Sequence, residues 1–253
     1  MLVIGGSQGI GKAAAALFFA EGAEVALASR NAQKLRAAVE EIAGQGGPVR
    51  HHVCDLTQTG AGEHLAEAVA AQWDGIDSLI VSIGTSVRSS FEKLEDQDWL
   101  ANYDINVLAV VRGVRACLPL LKAGRDPSVV ILGSASALMP AAEQIVSNVH
   151  KAGLLALTKT LGLELAATGV RVNSVAPGRT LTPLWEDRAS TMARQAGCSR
   201  EAVIERFSAE IPLGRFGTAR EVATMVVWLA CPLASYVTSQ TVSVDGGLAR
   251  GLI

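Results

Sequence analysis

Gly5-Gly6-Ser7-Gln8-Gly9-Ile10-Gly11 decides how this chain is read. The stretch follows a short apolar run, Leu2-Val3-Ile4. It leads into Lys12-Ala13-Ala14-Ala15-Ala16-Leu17-Phe18-Phe19-Ala20, which is rich in strong helix formers. Strand, glycine turn and helix in this order make a glycine pattern into a dinucleotide site. Glycines let the backbone turn tightly and approach a phosphate with no Cβ in the way. A helix starting near Gly9 then aims its free N–H groups and positive dipole end at a pyrophosphate. Many glycine turns bind nothing, so the pattern needs support from the strands that follow.

Those strands alternate with helices along the whole chain. Strands are expected at Ala23–Ala28, Pro48–Cys54, Ser78–Ile83, Ser128–Leu132, Val170–Val175 and Gln240–Val244. Helical periodicity covers Asn31–Ala43, Gly62–Trp73, Gln97–Lys122, Ala141–Ala167 and Ala219–Ala230, with Asn31 as an N-cap. Near-continuous apolar strands alternating with helices imply a parallel sheet covered on both faces. Right-handed crossovers make it a doubly wound, seven-stranded Rossmann sheet in one α/β domain over 1–253. Leu184–Glu210 is polar and less regular, and 183–212 is read as a substrate lid. In such sheets ligands lie beyond the strand C-termini, where Gly5, Ser29, Asp55, Gly84, Ser134 and Pro177 fall.

The bulk numbers narrow the function classes. The chain has 253 residues, 49% hydrophobic and 18% charged, with a net charge of −2. That balance suits a globular domain and gives no support for a nucleic-acid or anionic-membrane partner. No apolar run reaches the length of a membrane span, and no signal peptide is read, although a longer natural N-terminus is left open. Cys54, Cys117, Cys198 and Cys231 are scattered without metal-ligand spacing. They read as reduced thiols of a cytoplasmic protein, with no metal site expected.

The second strand ends in Ser29-Arg30-Asn31, where NAD-binding versions of this fold carry an acid. Ser29 can hydrogen-bond a 2′-phosphate and Arg30 can pair with it, so NADP(H) is expected rather than NAD(H). Asp55 either accepts from an adenine amino group or serves as a turn or helix-cap residue.

Taken together these pieces resemble the short-chain dehydrogenase/reductase family over essentially the whole chain. Matching pieces are Gly5, Gly9 and Gly11, Asp55, Asn106 in Asp104-Ile105-Asn106-Val107, Ser134, and Lys151-Ala152-Gly153. Pro177-Gly178 with Thr182, and Asp245-Gly246-Gly247, complete the set. The resemblance implies carbonyl/alcohol redox chemistry on a small molecule, a nicotinamide cofactor and a homotetramer or homodimer. The helices expected at Gln97–Lys122 and Ala141–Ala167 also carry more apolar positions than one sheet face can cover, including Val107, Val110, Val111, Leu154 and Leu157, so self-association is expected. It also implies cofactor contacts from Gly5, Ser7, Gln8, Gly9, Ile10 and Gly11, then from Ser29, Arg30, Asp55, Leu56 and Gly84. Lys151, Pro177, Gly178, Thr180 and Thr182 would close the cofactor site.

Three departures from the family pattern stand out. Ile4 replaces the usual Thr, and Val81-Ser82-Ile83-Gly84 replaces Asn-Asn-Ala-Gly. Where the family has Tyr-x-x-x-Lys, this chain has Ser147-Asn148-Val149-His150-Lys151, with Ser147 thirteen positions after Ser134. The catalytic set in register is therefore Asn106, Ser134, Ser147 and Lys151, without the tyrosine. This is similar to an atypical ketoacyl-reductase-like branch. A serine hydroxyl is shorter and far less acidic than a phenol, so Ser147 is not expected to be the proton donor. His150 and Glu143 are weighed as substitutes. His150 is more consistent with packing, and Arg179, Arg188 and Arg194 are weighed as anion contacts against plain solvation. Two other classes remain: a nucleotide-binding module without turnover, and a lyase or isomerase reusing the pocket.

Overall fold

The computed structural model describes residues 1–44 and 48–251; positions 45–47 and 252–253 of the domain lie outside the described residues. β1 (Leu2–Ile4) turns into α1 (Gly9–Ala20), β2 (Ala26–Ser29) into α2 (Ala32–Ala43), and β3 (Arg50–Val53) into α3 (Ala61–Ala70). β4 (Ser78–Val81) is followed by α4 (Asp96–Tyr103) and α5 (Ala109–Ala123), and β5 (Ser128–Leu132) by α6 (Ile145–Leu165). β6 (Arg171–Pro177) leads through β7 (Thr180–Leu181) to α7 (Pro183–Ala196) and α8 (Arg200–Ser208). β8 (Gly217–Thr218), α9 (Ala219–Ala230) and β9 (Thr241–Val244) complete the chain.

Seven strands form one parallel sheet in the order β3-β2-β1-β4-β5-β6-β9. Alternation along β1 shows how both faces are filled. Leu2 and Ile4 face a core with Val69 of α3, Val114 of α5 and Leu154 of α6. Val3 faces the other core, with Phe18 of α1, Leu35 of α2 and Val226 of α9. Full burial of an aliphatic side chain contributes about 1.5–3 kcal/mol, so neither helix layer is dispensable. β3 lies at the sheet edge, with His51 and Val53 exposed on one side. No helix among the described residues is long and apolar enough to cross a membrane.

The sheet and both helix layers agree with the expectation, and four details differ. The helix expected over Gln97–Lys122 contains a π-helical segment, Asp104–Leu108, between α4 and α5. Arg112 anchors it, bonding Asp104 at 2.7 Å and the Leu56 carbonyl at 2.9 Å. Second, α6 begins at Ile145 rather than Ala141. Glu143 has a left-handed backbone (φ 59°), and its carbonyl accepts from the Ser89 N–H, which holds the preceding loop out of the helix. Third, β7 and β8 form a small separate parallel ladder. Fourth, Val110 and Leu154, read as surplus apolar surface, are core residues within this chain. Exposed apolar side chains on this flank include Leu100, Tyr103, Val149 and Leu163.

At Gly5 the chain leaves β1 with φ +85°, and a Cβ there would sit 2.2 Å from the Ser82 carbonyl oxygen. Backbone strain and overpacking then act together. Gly5→Ala is expected to destabilise the fold by about 2–4 kcal/mol, read as a lower urea midpoint at unchanged slope. A midpoint equal to that of the unmodified protein would contradict this packing.

Candidate active site

A cleft of about 380 Å³ opens beyond the C-terminal ends of β1, β2 and β4. Its floor is the Gly5–Ile10 turn. The Gln8 side chain does not cap α1, so the first N–H groups of that helix are free of a side-chain partner. Gly9, also left-handed (φ +57°), brings the turn against Thr182. Gly11 does not line the cleft. It is buried beneath it, where a Cβ would lie 2.4 Å from the Gly5 carbonyl oxygen, so it lets α1 pack on the turn.

One end of the cleft is cationic. Ser29 and Arg30 line it, and the Ser29 hydroxyl bonds that of Ser7 at 2.9 Å. Lys34, on the first turn of α2, lines the same end and donates to Gln8 Oε1 at 3.0 Å. Asn31 caps that helix by accepting from the Lys34 N–H, as its sequence position implies. Asp55 and Leu56 form the opposite wall. Asp55 Oδ1 accepts from the Thr57 N–H and hydroxyl, which is the turn role. Its Oδ2 has no protein donor among the described residues, so it is free to take an amino group. The uncapped helix start, the cation pair and the free carboxylate oxygen fit an adenine dinucleotide.

At the inner end lies Gly84 (φ +143°). A Cβ there would be 2.6 Å from Asn106 Oδ1 and 2.8 Å from Lys151 Nζ, so both groups converge above a residue with no side chain. Asn106 is delivered by the π-helical segment and oriented on both sides: Oδ1 accepts from the Thr85 N–H, and Nδ2 donates to Asn102. Helical π segments are frequent at functional positions because they rotate one side chain out of register. Burial pushes the Lys151 pKa down to about 8, and no carboxylate among the described residues offsets it.

Ser147 lies one turn before Lys151 and is buried. Its hydroxyl donates to Ser86 Oγ at 3.0 Å and accepts from the Val87 N–H at 3.3 Å. Ser134 Oγ accepts from the Ser136 N–H and hydroxyl, which leaves its own proton to donate. His150 does not reach the cavities. It is buried against α4, bonded to Asn102 Oδ1 at 3.0 Å and edge-on to Trp99, and burial lowers its pKa.

A second cavity, about 370 Å³, adjoins Ser134 and Ser136 and is lined by Pro177, Gly178, Trp185, Arg88, Arg188 and Glu143 among others. Glu143, weighed from its position, does face this space. Thr180 does not line either space. It is buried in the β7–β8 ladder, with its hydroxyl on the Gly178 carbonyl. Thr182 lines the cofactor cleft just before Pro183 and Leu184, while Trp185 and Arg188 line the second cavity, so α7 is a wall shared by both. Sequence reasoning missed Lys34, Ser86, Arg88 and Ser136. Lys34 was findable as the N3 residue of a helix capped by Asn31. Ser86 and Arg88 lie in a loop without periodicity, and Ser136 in a single 3-10 turn, Ala135–Ala137.

The comparisons agree with this geometry. The family described as Enoyl-(Acyl carrier protein) reductase matches residues 5–249. A curated relative, 3-oxoacyl-[acyl-carrier-protein] reductase FabG of Thermotoga maritima, is 33% identical over 98% of this chain and 96% of its own length. A solved short chain oxidoreductase of Pseudomonas aeruginosa PAO1, NADPH-bound and described as containing an atypical catalytic center, is 31% identical with a TM-score of 0.91. That match covers 99% of this chain and 96% of the other. L-Sorbose reductase of Gluconobacter frateurii, complexed with NADPH and L-sorbose, is 28% identical with a TM-score of 0.95, again covering 99% and 96%. On fold, cleft and relatives alike, the chain belongs to the short-chain dehydrogenase/reductase family, oxidoreductases that act on carbonyl and alcohol groups with NAD(P).

Proposed function

We propose that this protein is an NADP(H)-dependent oxidoreductase interconverting a carbonyl and an alcohol, with Ser147 standing where the family has its catalytic tyrosine. The observation that carries the reading is the corner above Gly84. Lys151 and Asn106 converge there while the Ser147 hydroxyl is engaged by Ser86 and Val87. The preference for NADP(H) is supported by Ser29, Arg30 and Lys34 at the ribose end of the cleft and by the absence of an acid after β2. NADPH-bound neighbours support it further.

Hydride transfer is the chemistry the bound nicotinamide supplies. The chain's own residues position and polarise. Ser134 donates its free proton to the carbonyl oxygen, strengthened because its lone pairs already accept from Ser136. The Lys151 charge stabilises negative charge developing on that oxygen and holds ribose hydroxyls. A water positioned by Lys151 and Asn106 carries the proton, since the Ser147 O–H is a weak acid and already donates to Ser86. Residues 183–212, including α7 and α8, act as the lid, held by Trp185 edge-on to Phe207 and Phe216. Cytoplasmic residence fits four unpaired cysteines. The exposed Leu100, Tyr103, Val149 and Leu163 point to a homodimer or homotetramer.

Steady consumption of NADPH with a panel of ketones tests the reading. Tight NADPH binding without consumption would instead mark a nucleotide-binding module, and product without net cofactor change a lyase or isomerase. Arg30→Ala and Lys34→Ala should each reduce the preference for NADPH over NADH. Equal affinities in the unmodified protein would refute the preference. Ser147→Ala should change turnover by less than about tenfold, or about 1.4 kcal/mol in the barrier. A thousandfold loss with cofactor binding intact would make serine a direct participant. Lys151 carries its charge below its pKa of about 8. The pH profile of kcat/KM should therefore fall as pH rises through about 8, and Lys151→Met should remove that limb at a lower rate overall. A limb that survives the substitution would assign it elsewhere. Light scattering should give a mass above that of one chain, and a monomer at micromolar concentration would contradict self-association.

A further inference from the structure

The second cavity holds three arginines and two glutamates, and their pairing is uneven. Arg179 is neutralised: its guanidinium pairs with Glu210, donates to the Phe207 carbonyl at 2.6 Å and lies over the Phe207 ring. Arg88 has Glu143 at 3.9 Å, the outer limit of an ion pair, with that carboxylate about two-thirds exposed. Such a contact is weak in water. Arg188 has neither a carboxylate nor a hydrogen-bond acceptor among the described residues. Its guanidinium carbon sits 4.9 Å from the centre of the Trp185 ring, three residues earlier on α7. Trp185 in turn is wedged edge-on between Phe207 and Phe216.

This arrangement is more than a solvated arginine. The Trp185 ring lies within cation–π range of the guanidinium and helps hold it in place. Its N–H fork has no acceptor among the described residues, and it matches two oxygens of one anion. Burial and then the nearby Arg88 charge both lower the Arg188 pKa, so the two cations lie within each other's field, and the carboxylate that faces them, Glu143, is 3.9 Å from Arg88. Ser134, the donor for the reacting oxygen, lines the same cavity. Arg194, the other arginine weighed on this helix, is exposed and bonded to Thr191 Oγ1 at 3.3 Å, so it takes no part.

We propose that Arg188, assisted by Arg88, is an anion subsite and that the substrate is a ketone or secondary alcohol carrying a carboxylate or phosphate. The inference rests on the reductase reading above and gives it a substrate class. Carboxylate and phosphate present the same paired oxygens to the fork, and the test separates them.

Rates are measured for two matched pairs: levulinate against methyl levulinate, and dihydroxyacetone phosphate against dihydroxyacetone. The expected result is a kcat/KM ratio of about tenfold or more for the anion in at least one pair, the value of one charge-assisted contact. The pair that shows it names the anion. Arg188→Gln should bring that ratio close to one, and Arg188→Lys should keep part of it. A ratio near one in the unmodified protein overturns the proposal. So does a ratio unchanged in Arg188→Gln, which would mean that Arg188 only packs the lid. If none of the four compounds consumes NADPH, the reductase reading fails on these probes and calorimetry decides the subsite. Levulinate or dihydroxyacetone phosphate binding the NADPH-loaded protein, with that binding lost in Arg188→Gln, supports it; no binding overturns it.

Discussion

The structure depends on one close approach. Where β1 ends, the backbone at Gly5 passes so near the Ser82 carbonyl that only a hydrogen fits. That contact locks the end of β1 onto the end of β4, the two central strands at which the sheet reverses its winding. α1 leaves on one face and the chain after β4 on the other, and the cofactor cleft is the gap between them. Gly11 repeats the device one layer deeper, bringing α1 onto the Gly5 carbonyl. Both glycines thus serve geometry first, and phosphate recognition follows from the helix start they place.

The same logic of close approach governs the corner above Gly84. Gly84 gives up its side chain so that an amine and an amide carbonyl can share the space above it. The amide is carried by a helical segment wound one residue too wide and fixed by the Arg112–Asp104 pair. The amine is buried without a carboxylate, which explains its lowered pKa. A tyrosine beside it would ordinarily be the group tuned by that charge. Here the serine hydroxyl is engaged by the 84–88 loop, donating to Ser86 Oγ and accepting from the Val87 N–H.

Much of this was legible in the residues. Near-continuous apolar strands alternating with helices dictated a two-faced parallel sheet, and the register four before Lys151 put Ser147 one helical turn from that lysine. What was not legible had physical causes. The π segment at Asp104–Leu108 keeps helical periodicity on both sides, so a pattern of apolar positions cannot reveal it. The late start of α6 depends on a left-handed Glu143, which is not a glycine and gives no composition signal. Val110 and Leu154 looked surplus because the depth of the core beneath α5 and α6 is a tertiary property. The pairing of Arg179 with Glu210, and the lack of any such partner for Arg188 among the described residues, came only with the tertiary fold.

The central claim is that hydride chemistry persists on a site whose aromatic acid is absent. The most direct measurement is isotopic. NADPH carrying deuterium at both positions of nicotinamide C4 is incubated with the enzyme and a ketone, and the alcohol is examined by mass spectrometry. The account predicts one deuterium on the carbinol carbon of the product. Unlabelled alcohol, or fully retained label in the cofactor after prolonged incubation with the whole ketone panel, would contradict it.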